Sequence, residues 1–199
     1  MDFYQIIAGN FQANIETISL CVDDLAPPIE RSTHIITAAL LEDCKIMVCG
    51  NGPDAALTQL FTSTLLSRLE NERPALPALS LCSDAASLTA IATSGGLNEL
   101  FSRQVRALGQ QGDVLVCISS GEGHNNLIRA VQAAHERNMN VIALSNTHSG
   151  ELSSLIQSED VMLQVNAARR TSVIEIQTMV IHTLCELIDR TLFDSYIRD

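Results

Sequence analysis

The stretch Lys45-Ile46-Met47-Val48-Cys49-Gly50-Asn51-Gly52-Pro53-Asp54-Ala55-Ala56-Leu57-Thr58-Gln59-Leu60-Phe61 decides how this chain reads. A short apolar run ends in Gly-Asn-Gly and passes directly into apolar residues at helical spacing. A buried strand that stops on glycines and runs into a helix is how an α/β protein builds an anion or ligand site. The glycines allow tight backbone geometry, and free N–H groups at the helix start favour negative charge. Gly50, Asn51 and Gly52 are therefore the first candidate ligand residues. Asp54 stands where an anionic ligand would sit, so the segment reads as a phosphate site with altered chemistry.

Outward from this stretch, short β-rich runs alternate with helical periods. The expected strands are Ile46–Cys49, Ala78–Leu81, Val114–Ser119, Val141–Ser145 and Val161–Val165. Helices are expected over Asp54–Glu70, Ala85–Ala92, Asn98–Leu108, Asn125–Asn138, near Glu151–Ile156, and over Thr171–Leu192. Before the first strand, Ile6, Ile7, Phe11, Ile15 and Leu20 predict a helix over Phe3–Val22; Pro27-Pro28 should break it, and a second helix fits Ile29–Leu41. The alternation predicts a parallel sheet covered on both faces. The whole chain, 1–199, reads as a single domain, with a helical region over 1–42 and an α/β core plus last helix over 43–199.

The last helix carries two apolar stripes. Val173, Ile176, Val180, Leu184 and Leu187 form one, and Ile174, Ile181 and Ile188 form another at heptad spacing. Two apolar faces predict that one meets the core and the other a partner chain, with the N-terminal helix a further candidate for that contact. A homo-oligomer is expected.

Composition narrows the function. Of 199 residues, 46% are hydrophobic and 18% charged, which suits a well-filled core. A net charge of −11 without a basic stripe argues against nucleic acid as a direct partner. Arg169-Arg170 is the only adjacent basic pair and reads as a solvated turn. The six cysteines show no C-x-x-C spacing, which predicts free buried thiols in a reducing compartment. The N-terminus lacks a signal-peptide pattern and no apolar run approaches membrane-spanning length. A cytoplasmic protein with no membrane partner is expected.

Several segments together resemble a known family. They are Gly50-Asn51-Gly52 after a strand, Arg73-Pro74-Ala75-Leu76-Pro77-Ala78, Phe101-Ser102-Arg103-Gln104-Val105, Gly112-Asp113-Val114-Leu115 and Leu184-Cys185-Glu186-Leu187-Ile188-Asp189. These are similar to the sugar isomerase (SIS) domain proteins, in the group of the phosphoheptose isomerases (GmhA) and the DnaA initiator-associating proteins (DiaA). The resemblance implies a flavodoxin-like three-layer α/β/α sandwich with a five-stranded parallel sheet. It also implies a homotetramer with the long N- and C-terminal helices in its interface.

An aldose–ketose isomerase moves a proton between adjacent carbons through an ene-diol, which needs a base near carbon, an acid or base near oxygen, and a cradle for the phosphate. The family's His and Glu on the helix after Gly-Asn-Gly correspond here to Leu60 and Thr64, and its Gln and His on the last helix to Ile174 and His182. An acidic position before the Phe101 helix reads Ser94. Zinc, possible in the enzyme reading, would find Leu60 and Ile174 at its ligand positions, so no metal or cofactor is expected.

The phosphate loop reads Ser119-Ser120-Gly121-Glu122-Gly123-His124, with Ser119, Ser120, Gly121 and His124 as candidate ligand residues. Asp54 and Glu122 put negative charge there. One like charge at about 4–5 Å from a phosphate costs roughly 3–4 kcal/mol at an effective dielectric of about 20. His182 reads as a catalytic remnant or as a packed histidine, Glu175 as the family's acid or a local pair, and Asp84 as a ligand contact or a turn-forming Asp.

With the reactive positions changed, the expectation is a non-catalytic, DiaA-like homotetrameric scaffold that binds the replication initiator DnaA. Leu192 and Phe193 at the last helix's end would be its partner contact, or would simply dock that end. The alternatives are a sedoheptulose 7-phosphate isomerase and a sugar-phosphate sensor that binds without turnover.

Overall fold

A computed structural model describes residues 1–121, 124–147 and 150–194. It contains β1 (Ile46–Gly50), β2 (Ala78–Ser80), β3 (Val114–Ile118), β4 (Asn140–Asn146) and β5 (Val161–Val165). The helices are α1 (Phe3–Leu41), α2 (Pro53–Leu66), α3 (Ala85–Gly95), α4 (Ser102–Leu108), α5 (Asn125–Glu136) and α6 (Arg170–Phe193). The expected Asn98–Leu108 helix is instead a 3-10 turn at Leu97–Glu99 followed by α4, and Gly150–Leu155 is also 3-10.

The strands form one parallel sheet in the order β2-β1-β3-β4-β5. Alternate side chains point to opposite faces. Ile46, Val48, Val114, Val116, Ile142 and Leu144 pack with α1, α2 and α6, whereas Met47, Cys49, Leu115, Cys117, Val141 and Ala143 pack with α4 and α5. Both layers are therefore continuous cores, as a parallel sheet requires. Each fully buried Ile, Leu or Val contributes about 1.5–3 kcal/mol relative to exposure. All six cysteines are free, four of them buried. Burial, with the nearby Asp189 charge, pushes the Cys185 thiol up to about 12.

The sheet order reverses at β1: one connection leads to β2 at the edge, and β3 lies on the other side. Crevices outside the carboxyl ends of strands at such a switch point receive ligands. Gly50 pairs in register with Ile118, so the Gly-Asn-Gly turn and the Ser119-Ser120 loop emerge side by side.

One helical expectation is corrected and another narrowed. Pro27 and Pro28 lie inside α1, which runs unbroken from Phe3 to Leu41. A helix-interior proline costs about 3 kcal/mol. Here burial on both sides of the pair, at Cys21, Leu25, Ile36 and Leu40, outweighs that cost, and Asp23 and Asp24, whose carbonyls lose their donors, are exposed residues.

On α6, most of both stripes is taken up by the chain's own core, while Ile174 and Leu187 stay half-buried. Val173, Ile176, Val180 and Leu184 are buried, and so are Ile181 and Ile188 of the second stripe, because α1, α2 and the sheet all pack on this helix. By length and composition α6 could cross a bilayer, contrary to the sequence expectation. Half of its most apolar window is buried within the fold, which accounts for that apolarity as core. A larger exposed apolar surface lies on the first half of α1, at Phe3, Tyr4, Ile7, Phe11, Ile15 and Leu20.

Candidate functional site

The site begins where β1 hands over to α2. Gly50 is there because a Cβ would stand 2.9 Å from the Asp54 carbonyl oxygen and 3.0 Å from that of Ile118. Gly52 caps α2 with φ +57°, a left-handed conformation that side chains resist. The helix start then departs from the sequence expectation of free donors. Pro53 has no N–H, and the N–H groups of Asp54 and Ala55 donate to the carbonyls of Asn51 and Gly52. This end of α2 holds no ready anion seat in its first turn.

The loop after β3 supplies the donors instead. Ser120 N–H donates to Asp54 Oδ2 at 3.0 Å, and Arg170 Nη2 lies 3.8 Å from the same oxygen. Arg170 Nε–H donates to Ser120 Oγ at 2.9 Å. Asp54 is only 3% exposed, and its Oδ1 is buried without a hydrogen-bond partner among the described residues. The expected like-charge clash is thus rearranged: the carboxylate turns inward onto a backbone donor and a guanidinium. Glu122, the other expected charge, lies outside the described residues.

The loop is braced from two sides. Asn51 and Asn126 exchange side-chain amide hydrogen bonds at 2.9 and 2.8 Å, tying the Gly-Asn-Gly turn to the start of α5. Gln177 on α6 is fully buried; its Nε2 donates to the Ser119 and Leu144 carbonyls, while its Oε1 has no partner among the described residues. Asn146 Nδ2 donates to the carbonyls of Ser120 and Gly121. Ser119 Oγ donates to the Gly121 carbonyl at 3.3 Å. His124 is exposed at the N-cap of α5 and lines a cleft of about 390 Å³ with Asn51, Asn98 and Asn126. Ser120, Gly121, Asn146 and Arg170 line an adjoining cleft of about 220 Å³.

The remaining candidates lie elsewhere. Asp84 is the N-cap of α3, accepting from the Ala86 and Ser87 N–H groups at 3.0 and 3.3 Å. The Ser87 hydroxyl and the Ser87 and Ala86 N–H groups hold its carboxyl below the usual carboxylate range. Glu175 is exposed and accepts from Asn14 Nδ2 on α1. His182 is exposed on α6 and lines a separate cleft of about 470 Å³ with Glu70, Asn71, Glu186, Asp189 and Arg190. Twelve residues along one helix put it about 18 Å from Arg170 along the α6 axis. Within one chain, His182 and the Ser120 loop are not brought together.

The changed reactive positions are also located. Thr64 is buried and its hydroxyl donates to the Leu60 carbonyl at 2.8 Å. Leu60 and Ile174 are half-buried against the core and offer no lone pair, so a zinc ion does not fit the family's ligand positions here. Among the described residues, no group of three His, Cys, Asp or Glu side chains could hold a metal ion.

Sequence reading missed Arg170, Gln177, Asn126 and Asn146. Arg170 carried one usable signal: arginines at a helix N-terminus oppose the helix dipole, which points to a tertiary reason for their placement. Gln177 carried another, as a polar residue between Ile176 and Val180 on an apolar face.

Residues 10–146 match the SIS domain family. The phosphoheptose isomerase of Chromohalobacter salexigens is 42% identical over 195 residues, covering 98% of this chain and 99% of that protein. The structure of phosphoheptose isomerase GmhA from Neisseria gonorrhoeae superposes with a TM-score of 0.89 at 36% identity, covering 94% of this chain and 99% of that one. A phosphoheptose isomerase from Francisella tularensis gives a TM-score of 0.92 at 33% identity, covering 96% and 100%.

These matches overturn the expectation of a non-catalytic, DiaA-like scaffold for DnaA, because the full-length relatives carry the isomerase name. Of the two readings of Leu192 and Phe193, docking has the support of their packing: both are half-buried against the α1–α2–α6 core. The chain belongs to the SIS domain family, within its phosphoheptose isomerase group.

Proposed function

We propose that this chain is an aldose–ketose isomerase acting on a phosphorylated heptose, with sedoheptulose 7-phosphate as the substrate to test. The observation that carries the reading is 42% identity to a named phosphoheptose isomerase over 98% of the chain. In the reaction a base removes the C1 proton of the ketose, an ene-diol forms, and a proton returns to C2 while the hydroxyl proton passes from O1 to O2.

Leu60, Thr64 and Ile174 hold no group that can exchange these protons. We assign the task to the 470 Å³ cleft, where His182 and Glu186 stand one turn apart on α6 with Glu70 opposite. Imidazole exchanges protons near neutral pH, which suits either transfer. Ser120 and Arg170 would address the phosphate. Because these groups lie about 18 Å apart along α6, a site holding both needs a second copy of the chain, and the exposed apolar half of α1 is the surface we assign to that assembly. No metal or other cofactor is part of this proposal, and we place the activity in the cytoplasm.

Incubation with sedoheptulose 7-phosphate in deuterated water, followed by proton NMR, tests the reading. Conversion to the aldose with deuterium entering at C2 is expected. No conversion and no exchange would sink it and leave a second reading, binding of a sugar phosphate without turnover, which Leu60, Thr64 and Ile174 favour.

A further inference from the structure

Asp54 stands in the first turn of α2, yet nothing in that turn accounts for its orientation. A carboxylate there ordinarily accepts from the helix's own N–H groups. In α2 Pro53 has none, and those of Asp54 and Ala55 are taken by backbone carbonyls. The carboxylate instead reaches across to the β3–α5 loop and accepts from Ser120 N–H at 3.0 Å, beside the Arg170 guanidinium at 3.8 Å. A backbone N–H at a loop and an arginine are the donors a phosphate oxygen uses. Arg170 is held toward this point by its bond to Ser120 Oγ at 2.9 Å and remains about half exposed, on the side of the 220 Å³ cleft.

A second observation separates this arrangement from an ordinary structural pair. Asp54 Oδ1 is buried and has no hydrogen-bond partner among the described residues. For stability alone, a desolvated and unsatisfied carboxylate oxygen is a cost. The carboxylate fits the seat as one oxygen of a larger anion would, with its other oxygen left over.

We propose that Asp54 is a built-in competitor for the phosphate: its carboxylate occupies the anion seat formed by Ser120 and Arg170 and sets how weakly the site takes a phosphorylated ligand. This deepens the sugar-phosphate reading and rests on it only in that the ligand carries a phosphate; turnover is not required. A phosphate entering the seat has to displace Asp54 from Ser120 N–H or share Arg170 with it at close range. Neutralising residue 54 removes both obstacles.

Isothermal titration of the full chain with inorganic phosphate at pH 8 tests this, using wild type, Asp54→Ser, Asp54→Asn, and Asp54→Ser combined with Arg170→Ala. The two single variants are expected to bind phosphate at least about tenfold more tightly than wild type, and the double variant to lose that gain. Circular dichroism checks the fold of each. Folded single variants that bind no more tightly than wild type would overturn the proposal, as would a gain that survives loss of Arg170. Failure of both single variants to fold would also overturn it, by making Asp54 a structural group. Because isomerase turnover is not read, failure of the isomerase reading leaves the phosphate result standing.

Discussion

The two clefts along α6 treat charge in opposite ways. Over the Ser120 loop, charge is internal: Asp54 is buried, held by a backbone donor and faced by Arg170. In the His182 cleft, His182, Glu70 and Glu186 stand exposed, and charge is buried only in the wall, where Arg73 Nε donates to Asp189 Oδ1 at 2.9 Å. One cleft turns its carboxylate onto its own donors; the other leaves an imidazole and two carboxylates open to solvent. Different elements build the two: the β1–α2 and β3–α5 connections with the start of α6 on one side, the segment after α2 with the later turns of α6 on the other.

The largest expected effect is on the wall of the open cleft. The Arg73 side chain is 1% exposed, and besides pairing with Asp189 it donates to the carbonyls of Thr64, Leu65, Ser67 and Pro74. Arg73→Met should destabilise the fold by about 3–5 kcal/mol in urea titrations, since it leaves Asp189 buried without its partner. A loss below about 1 kcal/mol would show that Asp189 finds water, and that the wall is not rigid.

Next comes His182→Asn, which should lower turnover of sedoheptulose 7-phosphate by about 100-fold while leaving the melting temperature unchanged, as expected for an exposed proton-transfer group. A fall in melting temperature instead would make His182 a packing residue. On the Ser120 side, Gly50→Ala drives a methyl against the Asp54 and Ile118 carbonyls and should cost about 2 kcal/mol by thermal unfolding.

The smallest effect concerns Asp84, whose carboxyl is held low first by the Ser87 hydroxyl and then by the Ser87 and Ala86 N–H groups. A carboxylate with a depressed folded pKa adds stability above its unfolded value and loses it as pH falls through the folded one. The melting-temperature gap between wild type and Asp84→Ala should therefore be present at pH 7 and close on acidification below the ordinary carboxylate range. A gap unchanged down to pH 2 would assign the effect to something other than the ionised cap.

Much of the fold was legible because local patterning and tertiary need agree in it. The run Ile46–Cys49 and the segment Val161–Val165 are β-rich and bounded by turn residues, and both are strands of the sheet. The unbroken α1 was not legible. Pro27-Pro28 is a local breaking signal, and only the burial of Cys21, Leu25, Ile36 and Leu40 overrides it. The two stripes of α6 were visible as apolar, but not that a single chain covers most of both, because coverage depends on where α1 and α2 pack.

In the site, the glycines and serines were legible from their chemistry. Arg170 and Gln177 were not, since each meets the loop from more than forty residues away. Asp54 was legible as a charge in the wrong place but not as a charge already paired.

By itself the sequence determined the sheet-and-helix alternation, the family, and the absence of polar family residues at positions 60 and 174 and of the carboxylate at 64, all properties of residue identity and local spacing. Only the tertiary structure decided that Asp54 faces Ser120 and Arg170, that His182 opens on a different cleft, and that Leu192 and Phe193 are half-buried against the core. The reason is physical. Where a side chain points, and what shares its charge, depend on elements that the chain brings together only when the sheet closes between its helical layers.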